Sequence, residues 1–158
     1  MGYRFDIHHD LRLVYKKVWG SYGDAQSRVA HIEWDEICRQ GDEVGDYNEF
    51  QDLTEVTEYG VSLDQIKGLA ERYDIEWQTL THQPKQIAYV VPTPLSYGTG
   101  RVYGSLMGHT GIDFKVFDSL FDAAVWLELS PAETERVVGR RCSEVTRDDP
   151  DDFLVTHR

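Results

Sequence analysis

From Tyr3 to His9 the chain alternates, with Tyr3, Phe5 and Ile7 on one side and Arg4, Asp6 and His8 on the other. A period of two is the pattern of a half-buried strand. Leu11–Trp19 repeats it through Leu11, Leu13, Tyr15 and Trp19, and the short His9-Asp10 turn makes the two runs a hairpin. Gly20-Ser21 ends the second strand. Ser21, with Asp24 three residues on, has the spacing that caps a helix. Val29, Ile32 and Ile37, joined by Ala25 and Trp34, give that helix a ragged apolar face running to about Arg39.

The alternation of strand and helix then continues. After an acidic loop at Gly41–Asp46, Tyr47–Thr54 reads as a third strand and Ser62–Tyr73 as a second helix. The apolar run Ile87–Val91, bounded by Lys85 and Pro92, suits a central strand buried on both faces. Thr93 is a natural N-cap and Pro94 a favoured first helical residue, so a third helix follows. Phe114–Phe117 is a fifth strand. Ser119 and Asp122 cap a fourth helix that buries Phe121, Ala124, Val125 and Leu127 or Trp126. Ser130-Pro131-Ala132-Glu133 signals one more helix start. The order ββαβαβαβα implies an α/β fold: a mixed sheet of about five strands with about four helices. Residues 1–129 form the domain, and 130–158 a helical extension with an acidic tail that frays beyond about Arg147.

Composition narrows the function classes. Hydrophobic residues at 41 % and aromatics at 12 % are enough for a core and exclude a disordered chain. The net charge is −12, and between Glu33 and Glu58 ten acids face a single basic residue, Arg39. That balance argues against nucleic acid and against insertion into an anionic membrane, and it reads first as a solvated face. No apolar run is long enough to span a bilayer, and charges at the N-terminus replace the apolar stretch of a signal peptide, so a cytoplasmic location is expected. Cys38 and Cys142 have no CxxC partner, which leaves no thiolate zinc site and no disulfide framework. His8, His9 and Asp10, or His31 and Asp35, lack the spacing of a metal site, and no cofactor fingerprint is present.

Four segments, taken in order, resemble a known family. They are Arg12-Leu13-Val14-Tyr15, then Asp52-Leu53-Thr54-Glu55-Val56 with Val61-Ser62, then Val91-Pro92-Thr93-Pro94-Leu95-Ser96-Tyr97-Gly98, and finally Val116-Phe117 with Ala123-Ala124-Val125-Trp126-Leu127. Together they resemble the SpoIIAA-like branch of the STAS fold, the anti-sigma-factor-antagonist family, over roughly residues 3–128. The resemblance implies a bacterial regulatory module. In regulatory STAS domains a strand like Asp52–Val56 leads to a D-S-S-G-type turn whose serine, at a helix N-terminus, is phosphorylated. Here the matching turn is Tyr59-Gly60-Val61-Ser62-Leu63, so Ser62 alone retains that chemistry.

Ser62 also has a purely structural role: N-cap of the second helix, with Gln65 closing a capping box and Val61 stapling onto Ile66. A second locus is Pro92–Arg101, where the N–H groups of residues 95–97, the hydroxyls of Thr93 and Ser96, and Arg101 are placed to hold an anion. Adjacent strands would put Ser62 and Thr93 on one sheet edge, as the two walls of a site. Asp52, at its strand end, is the carboxylate to examine for burial. Gly100, Gly104 and Gly108 form a stripe that permits close approach to the sheet, a ligand or a second subunit. With Tyr97, Tyr103 and Met107 it is a candidate interface. The first expectation is a non-enzymatic module that binds a protein partner or forms a homodimer. The second is a small-molecule or lipid-like carrier with a cavity of a few hundred Å³ near Thr93 and Arg101, since STAS folds resemble the CRAL-TRIO lipid-carrier fold in outline. The third is an enzyme of unrecognised type.

Overall fold

The computed structural model describes residues 2–40, 43–79 and 86–139. Five strands, β1 (Gly2–His8), β2 (Leu13–Gly23), β3 (Asn48–Gly60), β4 (Gln86–Val90) and β5 (Asp113–Phe117), form one sheet in the order of the chain. β1 is antiparallel to β2, and β2 through β5 run parallel, so the sheet is mixed as expected. Helices α1 (Asp24–Gln40), α2 (Leu63–Thr79) and α3 (Pro94–Met107) make the crossovers. Right-handed crossovers between strands added in sequence put all three helices on one face. Helices α4 (Leu120–Trp126) and α5 (Pro131–Val138) cover the other.

Strand parity divides the core accordingly. Leu13, Tyr15, Phe50, Ala88, Val90 and Phe117 point to one face and pack on Ala123, Ala124 and Leu127 of the α4 turn and on Val137 and Val138 of α5. Helix α5 therefore packs into the core of the domain, and the α-helices among the described residues number five. Val14, Val18, Leu53, Ile87, Tyr89 and Val116 point the other way, beneath α1, α2 and α3. The acidic tail, Cys142 and Arg147 lie outside the described residues.

Several sequence expectations give way. β2 does not stop at Gly20-Ser21: Gly20 takes a left-handed φ of 78°, the register shifts, and Ser21 and Tyr22 continue the ladder opposite Glu58 and Tyr59. Ser21 is thus a strand residue, and α1 begins at Asp24. β3 is likewise longer than its apolar core, because β2 pairs with it as far as Gly60. In α1 the residues turned inward are Ser27, Ala30 and Trp34, whereas Val29 and Ile32 are 53 % and 55 % exposed. In α4, Ala123 and Ala124 are buried and Phe121 and Val125 face solvent.

The α3 stripe is also corrected. Ser96, Gly100, Tyr103 and Met107 are buried, so this face lies on the sheet and is no exposed interface. A Cβ on Gly100 would come within 3.1 Å of both Tyr89 and Val116, and one on Gly104 within 2.8 Å of the Phe114 ring. Tyr97 packs at the edge of the cluster around Val91 and Val116. Of the three partners open to the glycines, the sheet is the one they meet.

Gly100→Ala is expected to destabilise the protein by about 1–3 kcal/mol through overpacking. Gly98→Ala, whose new Cβ meets nothing within 4 Å, is expected to stabilise it by up to about 1 kcal/mol. Urea unfolding of the two variants checks the opposite signs, and a neutral Gly100→Ala would refute the close-packing account.

Candidate functional site

Ser62 follows β3 and opens α2. Its hydroxyl accepts the Gln65 N–H at 3.1 Å, and Val61 packs into the cluster that holds Ile66, as a cap with a staple requires. The return bond comes from elsewhere. Asp24, the first residue of α1, accepts both the Ser62 N–H and the Ser62 hydroxyl, each at 2.7 Å. β2 and β3 end side by side at Gly23 and Gly60, which brings these two helix starts together. The two hydrogen bonds from Ser62 hold the Asp24 carboxyl below its ordinary range. Since the Ser62 hydroxyl donates and accepts at once, a phosphate there would displace Asp24 and face its charge.

The Thr93 locus is closed by its own backbone. Thr93 and Ser96 form a reciprocal capping box, and Ser96 is fully buried. The Ser96 N–H donates to Thr93 Oγ1 at 3.2 Å and the Tyr97 N–H to the Thr93 carbonyl at 2.9 Å, so two of the three expected anion donors are committed. Arg101 is exposed and lies two helical turns on, about 12 Å along the axis from Thr93. The pairing of β3 with β4 stops at Asp52 and Val90, but β3 runs on to Gly60. Ser62 and Thr93 therefore share an edge at different heights, offset by roughly 15 Å, and do not form two walls of one site. Because the parallel strands pair in chain order, the sheet also has no reversal point, where α/β sheets open a binding crevice.

Asp52 is fully buried on the α4–α5 face. Its carboxylate accepts the Tyr15 hydroxyl at 2.5 Å, and the Thr54 N–H and hydroxyl at 2.9 and 2.6 Å. It anchors β2 to β3 and restrains the bulged stretch that follows.

The densest collection of polar groups lies on the opposite face, under α1. Lys16 and Glu49 form a buried ion pair at 2.7 Å, and Gln51 donates to the same Glu49 oxygen at 2.7 Å. The Lys16 ammonium sits 4.0 Å from the centre of the Trp34 ring. A buried pair is strongly destabilised when one partner is lost, since the other charge is left unpaired. His31 donates from Nδ1 to the Ser27 carbonyl at 2.8 Å; burial, then the Lys16 charge, pushes its pKa down to about 4. Burial, then the Glu49 charge, pushes the Cys38 thiol up to about 12. The cluster thus holds a neutral imidazole and a protonated thiol at neutral pH. Arg72 pairs with Asp35 at its rim, and Tyr22, Tyr59 and Tyr89, with Tyr59 and Tyr89 hydroxyls 3.2 Å apart, extend it toward α3. Burial pushes Tyr22 up to about 12.

The sequence carried a signal for this cluster. Lys16 shares the inward parity of Val14 and Val18 on β2, and Glu49 follows Tyr47 at the same parity of β3, both on strands inside the sheet. Glu49 was absorbed into the acidic run read as a solvated face, yet Glu49 and Asp52 are buried on opposite sides of the sheet. Two small cavities flank the cluster, of about 30 Å³ and about 20 Å³. Neither is lined by Thr93 or Arg101, and each has the volume of one or two water molecules. Among the described residues, no group of three or more His, Cys, Asp or Glu is arranged to hold a metal ion, and no helix is long and apolar enough to cross a membrane. His9 instead contacts the Tyr47 hydroxyl at 3.0 Å, and Asp10 pairs with Arg136 at 2.7 Å.

No family model matches the chain, and no curated protein does. Among solved structures it is similar to an uncharacterised protein of the DUF3478 family, with a SpoIIAA-like fold, from Shewanella loihica PV-4. The two align with a TM-score of 0.50 and 18 % identity, over 80 % of this chain and 93 % of that one. The chain therefore has a SpoIIAA-like α/β fold, as its motif order implied.

Ser62→Ala is expected to cost about 1–2 kcal/mol by removing the cap. Ser62→Asp, itself a good cap, is expected to stay less stable than the parent at low salt and to recover with added salt, because its carboxylate faces Asp24. Thermal unfolding across a salt series reads both.

His31 binds its proton at about 4 when folded, against 6.5 unperturbed. The unfolded chain takes up the proton first, so stability is complete above about 6.5 and falls as pH drops toward 4, by on the order of 1 kcal/mol per unit. Urea unfolding at about pH 7 and about pH 5 is expected to show the loss, and His31→Gln to remove most of its share. An unchanged pH slope in His31→Gln would contradict the assignment.

Proposed function

We propose that this chain is a non-enzymatic protein-interaction module of SpoIIAA-like fold, and that the outer ridge of α1 is the surface it presents to a protein partner. One observation carries the reading: α1 is turned against its own polarity. It directs Ser27 and His31 toward the sheet, above Lys16 and Glu49, and directs Val29 and Ile32 to solvent. Burial alone would favour the opposite rotation, since an aliphatic side chain gains about 1.5–3 kcal/mol when fully buried. The rotation is fixed from both flanks. The Tyr3 hydroxyl donates to Glu33 on one side and Arg72 pairs with Asp35 on the other.

The resulting ridge runs through Ala25, Val29 and Ile32, one helical turn apart each time, and ends at Glu36. An apolar strip on a helix held rigidly by its flanks is what a partner can cover at little cost in ordering. The alternative, a small-molecule or lipid-like carrier with its site near the start of α3, has less support, because the hydroxyls there bond to each other and the cavities under α1 are water-sized.

A photo-crosslinking amino acid at position 32, in cells making the full chain, tests the reading. Discrete protein adducts identified by mass spectrometry are expected from position 32 and not from exposed Lys67 on α2. Matching adduct patterns at the two positions would overturn it.

A further inference from the structure

We propose that the seam beneath α1 is a hydration site that binds ordered water against the indole N–H of Trp34. Trp34 is only 2 % exposed, and its Nε1 has no hydrogen-bond partner in the protein. A buried donor without an acceptor is rare in folded proteins, and ordered water is the usual means of satisfying one. Trp34 lines the larger cavity with Lys16, Tyr22, His31 and Gln51. The smaller cavity begins on the far side of Tyr22, His31 and Gln51 and continues past Ser27 to Tyr59 and Tyr89. The two are neighbouring compartments of one polar seam.

Size and charge identify the ligand. About 30 Å³ admits roughly two waters, on a requirement of about 10–15 Å³ each. A cation would meet the Lys16 ammonium that lines the cavity, and that ammonium is already neutralised by its direct pair with Glu49, which leaves no net charge to draw an anion. What fits beside such a pair is a neutral dipole that donates and accepts. Gln51 gives its Nε2–H to Glu49, which turns its amide carbonyl to the role of acceptor. A water that accepts from Trp34 can donate to that carbonyl. The other oxygen of Glu49, Oε1, is a second buried atom without a partner on the same group. Apolar cavities of this size stay dry, but this one is walled by an indole N–H, an amide, an imidazole and a phenol.

Water-selective NOE and ROE spectra of the 15N-labelled full chain test the site. Trp34 is one of four tryptophans; its indole signal is assigned through bonds and checked by its loss in Trp34→Phe. A cross-peak between the Trp34 indole proton and water, with the sign of a long-lived bound molecule, is expected. So is electron density within hydrogen-bond distance of both Trp34 Nε1 and the Gln51 carbonyl in a high-resolution crystal. The inference fails if the Trp34 signal matches the fast surface hydration of the exposed Trp19, or if the density belongs to a molecule other than water.

Discussion

Strands β2 to β5 pair in the order in which the chain makes them, and the remaining features follow from that winding. Each right-handed crossover moves one place along the sheet and leaves its helix on the same side. α1, α2 and α3 must share one face, and only a chain continuing past β5 can cover the other. The Ala123–Leu127 and Val137–Val138 contacts of α4 and α5 do so. The winding also provides no reversal point at the carboxyl edge. α1 and α2 start beside one another and their N-termini satisfy each other through Asp24 and Ser62, whereas α3 caps itself through Thr93 and Ser96.

The face beneath α1 follows a different rule from the rest of the core. Elsewhere the sheet is covered mainly by aliphatic and aromatic contact, with Asp52 and its Tyr15 and Thr54 bonds as a buried polar group on the α4–α5 face. Under α1 it is covered by an ion pair, an amide, an imidazole and a ring stacked on an ammonium. Such an attachment depends on direction as well as area, because each polar group must meet its partner at hydrogen-bond distance. A helix attached this way has one allowed rotation, and that rotation leaves Val29 and Ile32 outside. The polar interior and the apolar exterior of α1 are one feature.

Much of the architecture was legible in the residues. Alternation gave β1 and the start of β2; Thr93-Pro94, Ser119 and Ser130-Pro131 marked three helix starts that the structure places at Pro94, Leu120 and Pro131. These are local signals, satisfied within four residues. What escaped depends on partners far along the chain. β2 outlasts Gly20 because β3 lies beside it, and Ser62 finds its second bond in Asp24. The face of α1 was misassigned because hydrophobicity alone sets a rotation only when the surface beneath is also apolar, and that of α4 because the apolar surface beneath it selects for size. In α4 the slot above the sheet takes Ala123 and Ala124, whose small side chains let the backbone approach, so Phe121 and Val125 turn away.

Six side-chain contacts between the first three strand–helix units share a nearly constant sequence separation. His9 with Tyr47, Lys17 with Glu55, Asp24 with Ser62 and Asn48 with Gln86 are all 38 residues apart, and Tyr15 with Asp52 and Asp35 with Arg72 are 37 apart. The first two turns of the winding therefore close loops of almost the same length, and the third, which pairs Gln86 with Asp113, closes one of 27 residues. The entropy of closing such loops grows only with the logarithm of length, so the turns differ by no more than about 0.3 kcal/mol on that account. Chain entropy gives each turn little precedence over another during folding. The order of assembly is left to local strength: the self-capped α3 and the mostly apolar β4 are equipped to form early, and the polar seam under α1, whose groups must all be in place at once, to close late.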